Sequence, residues 1–135
     1  MAFRVANKFP IDTKPRVAVG VSIPFSSPSV FTSTYTTKEQ LKSNLRNYFM
    51  TSPGERYMNP LFGGGLRDIV FENLEQRTFD IVKQRVQADL SKYFPNVQIN
   101  VLDVFGTPDE NMLMVSLTYN VINFGITDNL EIIIT

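Results

Sequence analysis

Cysteine, histidine and tryptophan are all missing from the 135 residues. Without cysteine there is no disulfide and no thiol chemistry. Without histidine the commonest general base near neutral pH and the commonest zinc ligand are both gone. Only an oxygen-ligand site for Ca²⁺ or Mg²⁺ would remain, and Asp109-Glu110-Asn111 is too short for an EF-hand-type loop, so no metal and no cofactor is expected. No apolar run nears the roughly 18 to 20 residues that span a bilayer, and the N-terminus has no apolar signal core. A soluble, cytosolically made protein without a membrane partner is expected.

Neither sign of charge is in excess: 13 basic residues meet 13 acidic ones. The halves differ, however. Residues 1–66 carry eight Lys or Arg against Asp12, Glu39 and Glu55, and residues 67–135 carry five against ten acids, giving +5 and −5. Zero net charge favours association, and a basic half beside an acidic half suits head-to-tail contact. The basic residues are scattered among prolines, a poor nucleic-acid stripe, so no nucleic-acid partner is expected.

What is present fits one globular domain. Hydrophobic residues make up 43% and charged residues 19%, enough apolar content to build a core at this length. Residues 1–36 hold Pro10, Pro15, Pro24 and Pro28 and read as an extended arm. Within it Val17, Val19, Val21 and Ile23 alternate as one strand, and Ser29 to Tyr35 form a weaker one. Residues 37–135 read as the folded domain. Thr36 and Glu39 have capping-box spacing, and Leu41, Leu45, Tyr48 and Phe49 make one helical face. Ser52-Pro53-Gly54 ends that helix and opens a loop to Gly65. A short helix over Leu66 to Phe71 and a long one over Gln76 to Lys92 follow, the latter capped by Asn73 with Gln76 or by Thr78. Its apolar stripe is Phe79, Val82, Val86, Leu90 and Tyr93.

The last third alternates with period two. Val97, Ile99 and Val101 form one strand, and a turn over Gly106 to Asn111 closes a hairpin. Met112 to Asn123 form a long second strand. A loop over Gly125 to Asn129 leads to a third, Leu130 to Thr135. The fold class is therefore α+β: an N-terminal arm and two or three helices packed on a C-terminal antiparallel β-meander.

Catalytic chemistry has few carriers. Asp68 and Glu72 are four apart, with Glu75 near, and could resemble a glycosidase pair. The same acids suit a helix start and have Arg67 and Arg77 nearby, so a solvated face is the expected reading. Gly63-Gly64-Gly65 lacks the Lys-Ser/Thr of a P-loop and reads as a tight turn with close packing. No catalytic residue is expected. The unusual feature is the terminal strand, where Leu130, Ile132 and Ile134 alternate. It is either paired inside the sheet or offered to a partner's strand.

Gly54-Glu-Arg56, then Asn59-Pro60-Leu-Phe62-Gly63, then Leu66-x-Asp68-x-x-Phe71-Glu72-Asn73, and a long helix ending Tyr93-Phe94-Pro95 resemble the baseplate wedge and sheath-initiator family of contractile phage tails. Related proteins occur in type VI secretion baseplates and R-type pyocins. The resemblance covers about residues 38–135 and marks Gly54, Arg56, Pro60, Phe62 and Gly63 as the family's loop motif. It implies a non-enzymatic virion component of the tail baseplate, assembled in the host cytoplasm in six copies. Its implied partners are the sheath protein, the wedge core proteins and the tail tube. Sheath subunits would add strands to its sheet, and Leu117, Tyr119, Leu130, Ile132 and Ile134 mark the pairing strands. A Glu-Pro-Arg motif docks the family on the wedge core. Here its places are taken by Phe94, Pro95 and Asn96, which replaces a salt-bridged dock with an apolar one. An older family label implies the alternative, a peptidoglycan-degrading lysozyme-like hydrolase using Asp68, Glu72 or Glu75.

Overall fold

The computed structural model describes residues 10–13, 17–23, 33–122 and 124–134. In chain order these form a 3-10 turn (Pro10–Thr13), β1 (Gly20–Val21), β2 (Ser33–Thr34), α1 (Thr37–Met50), α2 (Leu66–Ile69), α3 (Gln76–Tyr93), β3 (Val97–Thr107), a second 3-10 turn (Pro108–Glu110), β4 (Met112–Val121) and β5 (Ile126–Ile134). This is the expected α+β fold. Arg16 and residues 29–32 of the two expected arm strands lie outside the described residues. Of the remainder, only the two-residue pair β1–β2 is strand.

Helix α1 begins where its cap residue predicts. Thr36 Oγ1 accepts from the Glu39 N–H at 3.3 Å, while Glu39 Oε2 takes the N–H of Tyr35 instead of closing the box on Thr36. A second cap comes from far away: Asp12 Oδ1 accepts from the Thr37 N–H at 2.8 Å and from its hydroxyl at 2.7 Å. A carboxylate there also meets the positive end of the helix. Further along, Ile23 N donates to Ser43 Oγ and Arg46 Nη1 donates to the Ile23 carbonyl. The described upstream segments are thus laced to α1 by polar contacts.

Helix α3 carries the expected stripe, with Val82, Val86 and Leu90 fully buried. Its start differs. Glu75 occupies the cap position without a side-chain bond, and the Asn73 backbone carbonyl accepts from Thr78 Oγ1. Helix α2 ends at Ile69 rather than Phe71, and Phe71 is exposed.

The sheet has the order β3-β4-β5, antiparallel throughout. Along β4, Leu113, Val115, Leu117, Tyr119 and Val121 all face inward and are buried. They meet Leu130, Ile132 and Ile134 of β5 and the helical residues in one core. Burying each such side chain contributes roughly 1.5–3 kcal/mol. Three strand expectations change. Strand β4 ends at Val121, and Ile122 lies in a turn. The register shifts between Ile99 and Val101, so Leu102 turns inward opposite Leu117 and Val101 is exposed, the effect of one extra residue in a β-bulge. Strand β5 starts at Ile126, absorbing most of the expected loop, because residues 126–129 pair with 118–121.

Tyr119 is fully buried, and its hydroxyl has no hydrogen-bond partner among the described residues. Burial first, and then the Asp128 carboxylate, push its phenol above the ordinary value. An orphaned buried hydroxyl costs about 1–3 kcal/mol. Tyr119→Phe is therefore expected to leave stability unchanged or raise it by about 1 kcal/mol in urea unfolding. Above about pH 10 the unfolded phenol loses its proton while the folded one keeps it, so wild-type stability falls as pH rises. That fall is expected to be shallower in Tyr119→Phe.

Candidate functional site

The loop from Thr51 to Gly65 is held by backbone bonds rather than by secondary structure. Gly54 N donates to the Pro60 carbonyl at 2.7 Å, and Phe62 N donates to Asn59 at 3.1 Å. Ser52 N donates to Glu55 Oε2 at 2.9 Å. At its far end Gly64 N and Gly65 N donate to the Tyr48 and Thr51 carbonyls at the close of α1. Those two N–H groups are therefore committed within the chain, which supports the packing reading of the triple glycine over a phosphate cradle. Gly63 has φ +130°, and a Cβ there would collide with the Thr51 carbonyl.

Tyr48 connects this loop to the α3–β3 corner. Its ring centroid lies 5.0 Å from Phe62, 5.1 Å from Tyr93, 5.4 Å from Phe49 and 5.7 Å from Phe94. Three of these are edge contacts, worth about 0.5–1.5 kcal/mol each beyond the area they bury. Arg56 stacks over the outer face of Phe62 at 4.1 Å. Burial, followed by the Asp89 carboxylate, holds the Tyr48 phenol above its ordinary value.

The structure thus brings Arg56 and Phe62 of the loop motif together with Phe94. Phe94 is half-buried against Tyr48, whereas Pro95 and Asn96 are exposed. Beside them lies an open cleft of about 190 Å³, lined by Thr37, Leu41, Phe94, Pro95 and Asn96 among others. Sequence reasoning missed the most exposed apolar groups, Tyr57 and Met58 at the loop tip, which are 97% and 92% exposed. The available signal was the adjacent Tyr57-Met58 pair between Glu55-Arg56 and Asn59 in a glycine-bounded turn.

The strand-pairing residues separate into two groups. Leu117 and Tyr119 belong to β4, whose backbone is paired on both sides, by β3 and by β5. That corrects the expectation for them, because a central strand has no free margin. Leu130, Ile132 and Ile134 belong to β5, an outer strand of the sheet. Their side chains fill the core, so only the main chain remains for a partner. The first part of β5 is guarded by α1, through the Lys42–Asp128 pair at 3.7 Å. The other margin, β3, carries the bulge.

The carboxylates are not gathered as a helical pair. Asp68 is on α2, but the helix ends at Ile69, before Glu72. Asp68, Glu72 and Glu75 are all exposed, and Asp68 accepts from Ser52 Oγ at 3.4 Å. Glu72 lines an open cleft of about 350 Å³ with Arg67, Phe71 and Ile134, which Asp68 does not line.

A helical layer on one face of a three-stranded meander, with an aromatic corner and an outer strand whose far margin pairs with nothing among the described residues, defines a small α+β domain whose outward features are surfaces and strand margins. The sequence model of the baseplate wedge protein gp25 family matches residues 36–125, and the chain belongs to that family. It is 29% identical over 83 residues to the baseplate wedge protein gp25 of Enterobacteria phage T4, a stretch covering 62% of this chain and 63% of that protein. Its fold is similar to a Geobacter sulfurreducens protein provisionally described as a tail lysozyme, with TM-score 0.63 and 24% identity, covering 74% of this chain and 91% of that one. It is also similar to a chain of the anti-feeding prophage baseplate, with TM-score 0.53 and 22% identity, covering 84% and 81%. At these identities the two structures speak to the fold.

Gly63→Ala is expected to lower stability by about 3 kcal/mol through backbone strain and overlap with the Thr51 carbonyl. Arg56→Ala, which removes only the stacked cation, is expected to cost less than about 1 kcal/mol. Urea unfolding measures both, and equal losses would contradict this account of the loop.

Proposed function

We propose that the chain is a structural component of a contractile tail baseplate that docks on the wedge core and templates sheath polymerisation by β-strand addition. Family membership supports the baseplate role. The observation that carries the strand-addition reading is β5. It is a nine-residue outer strand with an unbroken register against β4, and its Leu130–Ile134 stretch lies beyond the Lys42–Asp128 guard. A regular margin pairs readily with another chain, whereas a bulged one such as β3 resists it. Main-chain pairing would supply affinity and the alternating side chains register. A ring of copies, six in this reading, would raise the effective concentration of a weak single contact.

The wedge-core contact falls to the Phe94-Pro95-Asn96 corner and its cleft, with the exposed loop tip beside Arg56 as a further contact. The remaining partners in this reading are the sheath protein and the tail tube, in a virion component assembled in the host cytoplasm. The hydrolase alternative has against it the end of α2 at Ile69, which breaks the helical Asp68–Glu72 spacing, while Glu72 and Glu75 line one open cleft. Its test is direct: Glu72→Gln is expected to leave any action on peptidoglycan unaltered.

In an antiparallel edge strand, successive N–H groups point alternately toward the neighbour and toward the open margin. Of Ile132→Pro and Ile133→Pro, one is therefore expected to remove a bond to β4 and destabilise the domain. The other is expected to fold normally, because proline is tolerated at a free edge position. Tails assembled with the folded variant are expected to lack ordered sheath by electron microscopy. Full-length sheaths on those tails would overturn the strand-addition reading.

A further inference from the structure

The outer face of the sheet, opposite the helices, carries a pattern that neither edge pairing nor the aromatic corner uses. The register sets Phe105 beside Met114 and Met114 beside Ile133, one apolar row across all three strands. Phe105 and Ile133 are 58% and 53% exposed. The adjacent row is Asp103, Ser116 and Glu131, with both acids exposed. An apolar stripe flanked by two carboxylates fits an apolar segment that also carries positive charge.

The chain itself contains such a segment. Residues 1–9, Met-Ala-Phe-Arg-Val-Ala-Asn-Lys-Phe, hold Phe3, Val5 and Phe9 with Arg4 and Lys8 and no acid. Stacking two identical outer faces would set Asp103 and Glu131 against their own copies, so like charge disfavours that arrangement. Docking within one copy is disfavoured by reach. Asp12 is tied to Thr37 at the start of α1, and Thr37 shares a cleft with Val97 and Val121 at the far end of the sheet. From Val121 back to Met114, β4 covers about 24 Å at about 3.4 Å per residue. The path must also pass from the helical side to the outer face, a layer of about 10 Å. Nine extended residues reach about 30 Å at most, so a copy could meet its own face only with the segment fully drawn out.

We propose that residues 1–9 of one copy dock on the outer sheet face of a second copy, the phenylalanines against the Phe105–Met114–Ile133 row and Arg4 and Lys8 against Asp103 and Glu131. The contact is head-to-tail, joining unlike surfaces, and such contacts close into rings when the rotation between copies permits. It leaves the β5 margin free and does not depend on the strand-addition reading.

Charge exchange tests it on the full chain. Sedimentation velocity at rising concentration is expected to show reversible association of the wild type at low salt, weakening as salt is added. Asp103→Lys with Glu131→Lys is expected to weaken association at least tenfold, and so is Arg4→Glu with Lys8→Glu. The chain carrying all four changes is expected to associate again, since the attraction is restored with its signs exchanged. All four positions are to be checked by thermal melting, where wild-type midpoints show that the fold is intact. A wild type that stays at 15.4 kDa at every concentration would overturn the proposal. So would association lost with the face variant but kept with the arm variant, which would assign the face to a different occupant. Failure of the fourfold exchange to restore association would also overturn it.

Discussion

The Tyr48 ring is the contact on which the arrangement of the candidate surface depends. It lies on α1 and is met by Phe62 from the loop and by Tyr93 and Phe94 from the end of α3, with Phe62 and Tyr93 also in contact with each other. Its own carbonyl accepts the Gly64 N–H, so the same residue anchors the loop's return. Two segments with no regular secondary structure in common are thereby held in one geometry. An interaction surface built this way is preorganised, which lowers the ordering cost that association otherwise meets.

The parts of the fold that could be read from the sequence are those where one period dominates. The Leu45–Tyr48–Phe49 face, the Val82–Val86–Leu90 stripe and the alternation along β4 are each set by burial against a single partner layer. What escaped depends on contacts between distant residues. Asp12 caps α1 across 25 positions of sequence. The bulge after Ile99 leaves the apolar composition of β3 unchanged while moving Val101 outward and Leu102 inward. The early start of β5 follows from its pairing with β4, because Asp128 and Asn129 have little strand propensity of their own. The loop motif was visible as residues, but Tyr48 as the ring joining it to Phe94 was not, since both look like ordinary core positions in one dimension.

The two faces of the sheet do different work. The inner face supplies nearly all the strand contribution to the core, and it does so with aliphatic side chains and Tyr119. The outer face is left with a short list of apolar groups and carboxylates whose positions are set by register alone. Charge follows the same division along the chain, with the basic residues concentrated upstream of position 66 and the acids downstream. A family of assembly proteins has use for such a division, because recognition can be varied on one face without disturbing the packing of the other.

The irregularity after Ile99 has a geometric consequence for any larger structure. One flank of the meander is kinked where the other is straight. In the strand-addition reading, a backbone ladder would therefore extend from this domain in a single sense, outward from its last strand. A seed of that kind would be vectorial: it would fix the polarity of what grows on it as well as its starting point.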